Sequence, residues 1–265
     1  HRIARRQRQM CIRDRIINSV NKAGGIMTLK DLENYKSIWR DPVKFKYKNL
    51  DIISMSLPSS GGILIGQMLK VIEDYDIKSF GHNSVKAIQL LVEAERRAYA
   101  DRSHFMGDPD YMNLPVYELM DKEYVVGRMK NFSWDEATSS SDVKHGNIIL
   151  DESDETTHYS IIDKHGNSVS VTTTLNNSYG SKVFVEEGGF FLNNEMDDFS
   201  SKPGHPNFYG LIGSEANSIQ PGKRMLSSMT PSIILKNNKP SLIVGTPGGS
   251  TCLLYTSPSP RDEQS

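Results

Sequence analysis

The chain has 265 residues, 37% of them apolar, and a formal net charge of −1. That length suits one large domain or two small ones with a sizeable core. The near-balance of charge argues against a general nucleic-acid binder, which carries a basic excess, and no apolar run approaches the roughly 18 residues of a membrane-crossing helix.

The two ends differ from the rest. His1–Arg15 carries six arginines and no lysine, and Cys252–Ser265 includes the turn-like run Thr-Ser-Pro-Ser-Pro-Arg-Asp without periodicity. Both cysteines, Cys11 and Cys252, fall in these stretches. The runs RRQRQMCIRDR and CLLYTSPSPRD resemble translated adapter read-through at the edges of assembled fragments. They are set aside as non-native, which leaves residues 16–251 as the native part, with no cysteine and so no disulfide arithmetic. No apolar stretch follows the start, so no signal peptide is read there, and the parent protein is expected to extend past both ends.

In chain order, Ile16–Lys22 reads as the end of a helix stopped by Gly24-Gly25. Thr28 and Asp31 form a capping-box-like start for a short helix, Leu29–Tyr35. Tyr47–Met55 alternates as a strand. The turn Pro58-Ser59-Ser60-Gly61-Gly62 opens a helix over Ile63–Tyr75. A longer helix spans Ser84–Arg102, with Val85, Ile88, Leu91, Val92, Ala98 and Tyr99 at helical spacing and Glu95 interrupting the stripe. Tyr117–Met129 is predicted helical, and the polar Ser133–Glu155 reads as an exposed, mobile linker. From Thr156 the chain turns β-rich. Thr156–Asp163 and Ser168–Leu175 flank the turn Lys164-His165-Gly166-Asn167 and predict a hairpin. Further strands are predicted at Phe190–Leu192, Ser232–Leu235 and Leu242–Gly245. Helices first and strands afterwards imply an α+β fold.

The chemistry centres on Asp154-Glu155-Thr156-Thr157-His158. An acidic linker runs directly into a strand that begins with threonine. The Thr156 hydroxyl could attack the Glu155 carbonyl and free its own α-amine, whose ordinary pKa near 8 lets it act as a general base near neutral pH. Taken alone the run is also compatible with an ordinary strand start. His158 has the type of a base but shares the Thr156 face two residues on, and reads as structural. Ser59-Ser60 lacks a base motif and reads as a turn. Asp197-Asp198 is compatible with a loop pair or a hard-cation site, Ser227-Ser228 with capping or turn residues, and Pro247–Ser250 with a plain turn.

Several motifs in one order go further. TTHYSIIDKHGNSVSVTTTLNNSYG, GGFFLNNEMDDFSSKPG, GKRMLSSMTPSIIL and GTPGGST resemble the start of the small subunit of γ-glutamyltranspeptidases. SLPSSGGILIGQML and AERRAYADRSHFMGDPDY resemble the end of the large subunit. The resemblance covers essentially all of residues 16–251, so 16–155 would be large-subunit sequence and 156–251 small-subunit sequence of one shared domain.

The resemblance implies an N-terminal-nucleophile (Ntn) hydrolase: a four-layer αββα sandwich of two antiparallel sheets between helices, here incomplete. It assigns Thr156 as the nucleophile, released by cleavage after Glu155, and Thr174 as the threonine near its amine. It assigns Asn176, Glu195, Asp198, Ser227 and Ser228 to the γ-glutamyl group, Tyr209 to a lid, and Gly248 and Gly249 to the oxyanion hole. The implied reaction transfers or hydrolyses glutathione and other γ-glutamyl amides, with amino-acid, peptide or water acceptors. It needs no metal or organic cofactor and leaves a heterodimer of self-derived subunits, exported to the periplasm or outside. The alternatives are a related amidase of the cephalosporin-acylase or poly-γ-glutamate type, and a non-catalytic glutamyl-binding protein. The family's pocket also uses an arginine from a region earlier than residue 16. The 265-residue chain alone is therefore expected to be inactive.

Overall fold

The computed structural model describes residues 2–143, 156–205 and 213–247, with side chains of 2–10 and 156 excluded. The chain divides into two compact units, His1–Arg40 with Thr174–Glu195, and Asp41–Thr173 with Met196–Ser265.

In the smaller unit, helix α1 (Arg2–Lys22) ends where Gly24 takes a φ of +82°, a conformation glycine adopts without side-chain strain. Helix α2 (Leu29–Asn34) starts as predicted: the Asp31 carboxylate accepts from the Thr28 backbone N–H and hydroxyl, both at 2.7 Å. These two bonds hold the Asp31 carboxyl below its usual range.

The larger unit carries the main core. Strands β1 (Val43–Tyr47) and β2 (Leu50–Ser54) form a hairpin where the sequence predicts one strand. Lys48, at φ +52°, turns the chain between them. Helix α3 (Gly61–Ile72) is buried along most of its length, as expected for a helix apolar nearly all round. One side meets the sheet and another meets the long helix α5 (Val85–Phe105), with the short helix α4 (Ile77–Phe80) between them in sequence. Ile63, Leu64, Leu90 and Met106 are wholly enclosed, each contributing about 1.5–3 kcal/mol through burial.

The start of α5 is capped by Ser84, whose hydroxyl accepts from the Ala87 N–H. Its buried face overlaps the predicted stripe only in part. Ala98 and Tyr99 are buried as predicted, but Val85 and Ile88 are exposed, and Ala87, Leu90 and Ala94 turn inward instead. Glu93, Arg97 and Asp101 are buried along the same helix at spacings of four. Glu93 accepts from Arg97 Nη1 (2.5 Å), Arg96 Nη1 (2.8 Å) and the Thr138 N–H (3.2 Å). Asp101 takes Gln67 Nε2 at 2.9 Å and the Tyr124 hydroxyl at 3.0 Å.

The helix predicted over Tyr117–Met129 is two, α6 (Val116–Leu119) and α7 (Lys122–Gly127). The break falls where Asp121 caps α7 by accepting from the Tyr124 N–H at 2.9 Å. The start of the predicted linker is docked rather than free. Thr138 is tied to Glu93 and Arg97, and Trp134 packs edge-on against Tyr75, Phe80 and Phe132. Buried charges on α5 need fixed partners, and this segment supplies them. Residues 144–155, including the linker's second half, lie outside the described residues.

Strands β3 (Thr156–Ile162) and β4 (Ser168–Thr174) form the predicted hairpin, closed by the Asp163 N–H to Asn167 carbonyl bond. In the smaller unit, β5 (Phe184–Val185), not predicted, pairs antiparallel with β6 (Phe190–Phe191). In the larger unit, β7 (Ser232–Lys236) and β8 (Lys239–Val244) complete an antiparallel sheet ordered β1-β2-β7-β8. The β3–β4 hairpin lies beside β8, where Ser160 donates to the Ile243 carbonyl and Ser170 to the Val244 carbonyl. The fold is thus α+β, with antiparallel sheets and flanking helices, as the expected αββα class requires. Among the described residues no helix is long and apolar enough to cross a membrane.

Candidate active site

Thr156 opens β3, so the expected nucleophile stands at a strand end directly after the acidic segment. Glu155, Tyr209, Gly248 and Gly249 lie outside the described residues. His158 is fully engaged. Ser160 spends its single proton on the Ile243 carbonyl, so it must accept from His158 Nε2–H at 3.1 Å. Nδ1 is then the acceptor for the Thr172 hydroxyl at 2.8 Å. Burial lowers the imidazole pKa, in keeping with this neutral tautomer. The ring also lies so close to Gly245 that a β-carbon there would overlap it. These contacts give His158 a structural role, as the sequence suggested.

In the larger unit, Asp198 and Ser228 meet one residue that was not foreseen, with Ser227 alongside. Asp198 ends a short 3-10 turn (Glu195–Asp198) and is half-buried. Its carbonyl accepts from Asn217 Nδ2 at 2.7 Å, while Asn217 Oδ1 accepts from the Leu226 N–H at 2.9 Å. The buried Asn217 side chain thereby links the Asp198 turn to the segment leading into Ser227 and Ser228. The serine pair is stitched to the Pro58–Ser60 turn. The Ser227 N–H donates to the Pro58 carbonyl (2.8 Å), and the Ser60 N–H to the Ser227 carbonyl (2.9 Å).

At the centre is Arg102, on the last turn of α5 and only 6% exposed. Its Nε donates to Ser60 Oγ and its Nη2 to Ser228 Oγ, both at 3.0 Å. Burial pulls the guanidinium pKa down, and the nearby Tyr99 and Asp198 draw it back up. Arg102 and Asp198 line one small polar cleft with Ser103, Ser200 and Asn217. Sequence reading missed Arg102 and Asn217. For Arg102 the available signal was an arginine one turn past the apolar Ala98-Tyr99 pair, on a face that faces inward.

In the smaller unit, Thr174 and Asn176 are neighbours. The Asn176 N–H donates to Thr174 Oγ1 at 2.9 Å, and Asn176 takes a φ of +74°. Its side-chain Nδ2 donates to the Asn194 carbonyl at 3.3 Å, and the Asn177 N–H donates to Asn194 Oδ1 at 3.0 Å. Glu195, half-buried, follows directly, its N–H bonded to Asn193 Oδ1 at 3.1 Å. Among the described residues no cluster of three or more His, Cys, Asp or Glu side chains could hold a metal ion.

Antiparallel sheets with flanking helices fit the fold class of the Ntn hydrolases. The fold matches a cephalosporin acylase from Bacillus halodurans, with a TM-score of 0.68 over 88% of this chain and 39% of that one, at 21% identity. A family profile described as Gamma-glutamyltranspeptidase matches residues 11–257, and the chain belongs to that family. It is 45% identical over 239 residues to the glutathione hydrolase proenzyme of Escherichia coli K12, covering 90% of this chain and 41% of that protein. It is 37% identical over 225 residues to an Acylase ACY 1 proenzyme of a Pseudomonas species, covering 85% and 38%. The chain thus spans about two fifths of the length of these curated relatives.

Proposed function

We propose that this chain is the central part of a proenzyme that transfers and hydrolyses γ-glutamyl groups of glutathione and related amides. Residues 16–155 would close the large subunit and 156–251 would open the small one, with 1–15 and 252–265 foreign to the native protein. The observation that carries the reading is the grouping of Asp198 and Ser228 at a buried guanidinium, with Ser227 beside them through Ser60. A γ-glutamyl group presents an ammonium and a carboxylate on one carbon. Asp198 suits the ammonium, and the serine hydroxyls suit the carboxylate.

Cleavage between Glu155 and Thr156 would free the Thr156 amine. That amine would take the hydroxyl proton as Oγ attacks the γ-carbonyl. The oxyanion would be held by the Gly248 and Gly249 N–H groups, each such donor being worth about 3 kcal/mol of barrier. The amine product departs with the proton, leaving a γ-glutamyl ester on Thr156, which water or an acceptor amine resolves. Thr174 would orient the nucleophile's amine, Asn176 and Glu195 would contact the glutamyl group, and Tyr209 would cover it. The two products of cleavage would remain a heterodimer, acting in the periplasm or outside the cell.

The ancestry shared with acylases makes a related amidase the competing reading. A panel of γ-glutamyl anilide, poly-γ-glutamate and glutaryl-cephalosporin distinguishes them. The test requires a chain completed to the length of its relatives. Preferential turnover of the γ-glutamyl anilide, with ping-pong kinetics, is expected. Preference for the glutaryl amide, which lacks the α-ammonium, would refute the glutamyl assignment.

A further inference from the structure

The turn serines Ser59-Ser60 and the buried Arg102 have no part in the chemistry set out above, yet they contact the residues that do. An arginine side chain has five N–H donors and no acceptor. Wherever it meets a hydroxyl, the oxygen must accept, and the hydroxyl proton must point elsewhere.

Ser60 Oγ accepts from Arg102 Nε and sends its own proton to the Ser227 carbonyl at 3.0 Å. Ser228 Oγ accepts from Arg102 Nη2, so its proton is turned away from the guanidinium. Ser227 Oγ accepts from the Met229 N–H at 3.2 Å, which leaves its proton available in the same way. The backbone beneath is fixed as well, since Thr230 Oγ1 donates to the Ser228 carbonyl at 2.7 Å. Both serines of the pair are therefore set as donors, the polarity that a carboxylate needs. The Arg102 guanidinium lies 6.0 Å from the Tyr99 ring centroid, over a second favourable face, and shares its cleft with Asp198.

We infer that Arg102 is a positioning residue for the reaction. By holding Ser228 and Ser60 at once, it fixes the serine pair in the hydrogen-donating orientation that recognises the substrate α-carboxylate. The inference rests on the γ-glutamyl reading above. Arg102 acts through the serines and need not touch substrate itself. A lysine in its place keeps the charge but is a point donor on a flexible stem, without the rigid fork that spans two hydroxyls.

The test uses a chain completed to its relatives' length, with Arg102→Lys, Ser228→Ala, the double variant and Ser60→Ala. Each is assayed with a γ-glutamyl anilide and with the matching α-carboxamide. Maturation on a denaturing gel reports folding. Arg102→Lys should raise KM for the carboxylate substrate roughly 10–100-fold, the usual span for a lost hydrogen bond to a charged group. Its effect on kcat should be smaller, and the carboxamide should be nearly unaffected, so selectivity falls by the same factor. On the Ser228→Ala background most of that effect should vanish, because the contact is already gone. Equal losses on both substrates, or independent multiplication of the two single effects, would overturn the inference. Should Arg102→Lys fail to mature, Ser60→Ala decides: a selective loss for the carboxylate supports the inference and an unselective one refutes it. A wild type inactive on both substrates would instead refute the γ-glutamyl reading.

Discussion

Glu93→Ala probes the polar framework behind the candidate site. Glu93 is 2% exposed and receives Arg97, Arg96 and the Thr138 N–H. Removing it leaves the Arg97 guanidinium, whose side chain is 5% exposed, without its buried counter-charge. Breaking a buried ion pair from one side costs about 3–5 kcal/mol. Arg97 keeps acceptors at the Arg128 carbonyl, Asn131 Oδ1 and Thr138 Oγ1, so the lower end, about 3 kcal/mol, applies. The Thr138 backbone N–H loses its carboxylate acceptor in the same stroke. Hydrogen exchange of a peptide covering residues 133–143 is the direct assay. About 3 kcal/mol corresponds to exchange roughly 150-fold faster at the Thr138 amide. Acid should act in the same direction. Burial alone would raise the Glu93 pKa, but the bonds from Arg97 and Thr138 and the two arginine charges outweigh it and leave it lowered. The stabilisation is therefore complete above the ordinary glutamate pKa and is lost as pH falls through the lower folded-state value. Glu93→Gln should remove that acid-side dependence. Unchanged protection of residues 133–143 in Glu93→Ala would refute the reasoning.

Three further outcomes are expected. Glu95 is buried, and desolvation pushes its carboxyl up to about 7. The folded state then holds its proton more tightly, so its contribution is full below the ordinary glutamate value, falls as pH rises toward 7 and is level above. Glu95→Gln should flatten that fall in urea titrations and stabilise the protein at pH 8 by up to about 3 kcal/mol. Gly245→Ala drives a methyl into the His158 ring and should destabilise by about 1–3 kcal/mol, with His158 NMR signals shifted. Asp198→Asn, in a chain of the relatives' length, should lower kcat/KM for γ-glutamyl anilide roughly 10–100-fold while leaving maturation intact.

What could be read from the sequence follows from what each pattern measures. The Thr28–Asp31 cap and the β3–β4 hairpin depend on neighbours in sequence, and both formed as expected. The β1–β2 hairpin was misread because a lysine, rather than glycine, takes the left-handed turn position. On α5, periodicity counts apolar residues, so it followed the exposed Val85 and Ile88 and passed over the buried Glu93, Arg97 and Asp101. Charges are buried only where distant segments satisfy them, and no local pattern announces Thr138 as the partner of Glu93. The same limit hid Arg102, whose meaning comes from Ser60 and Ser228, 42 and 126 residues away. Asp198, Ser227 and Ser228 were singled out through motif order alone, and the larger unit places Asp198 and Ser228 near the Arg102 guanidinium, with Ser227 bonded to Ser60 beside it.

The central claim is that Thr156 is a self-liberated nucleophile. A chain completed to its relatives' length, as wild type and Thr156→Ala, should be run on a denaturing gel and its products sequenced from the N-terminus. The wild type should split and yield a new terminus reading Thr-Thr-His-Tyr-Ser, while Thr156→Ala stays whole. A folded wild type that remains a single chain, or a variant that still splits at the same bond, would contradict the account.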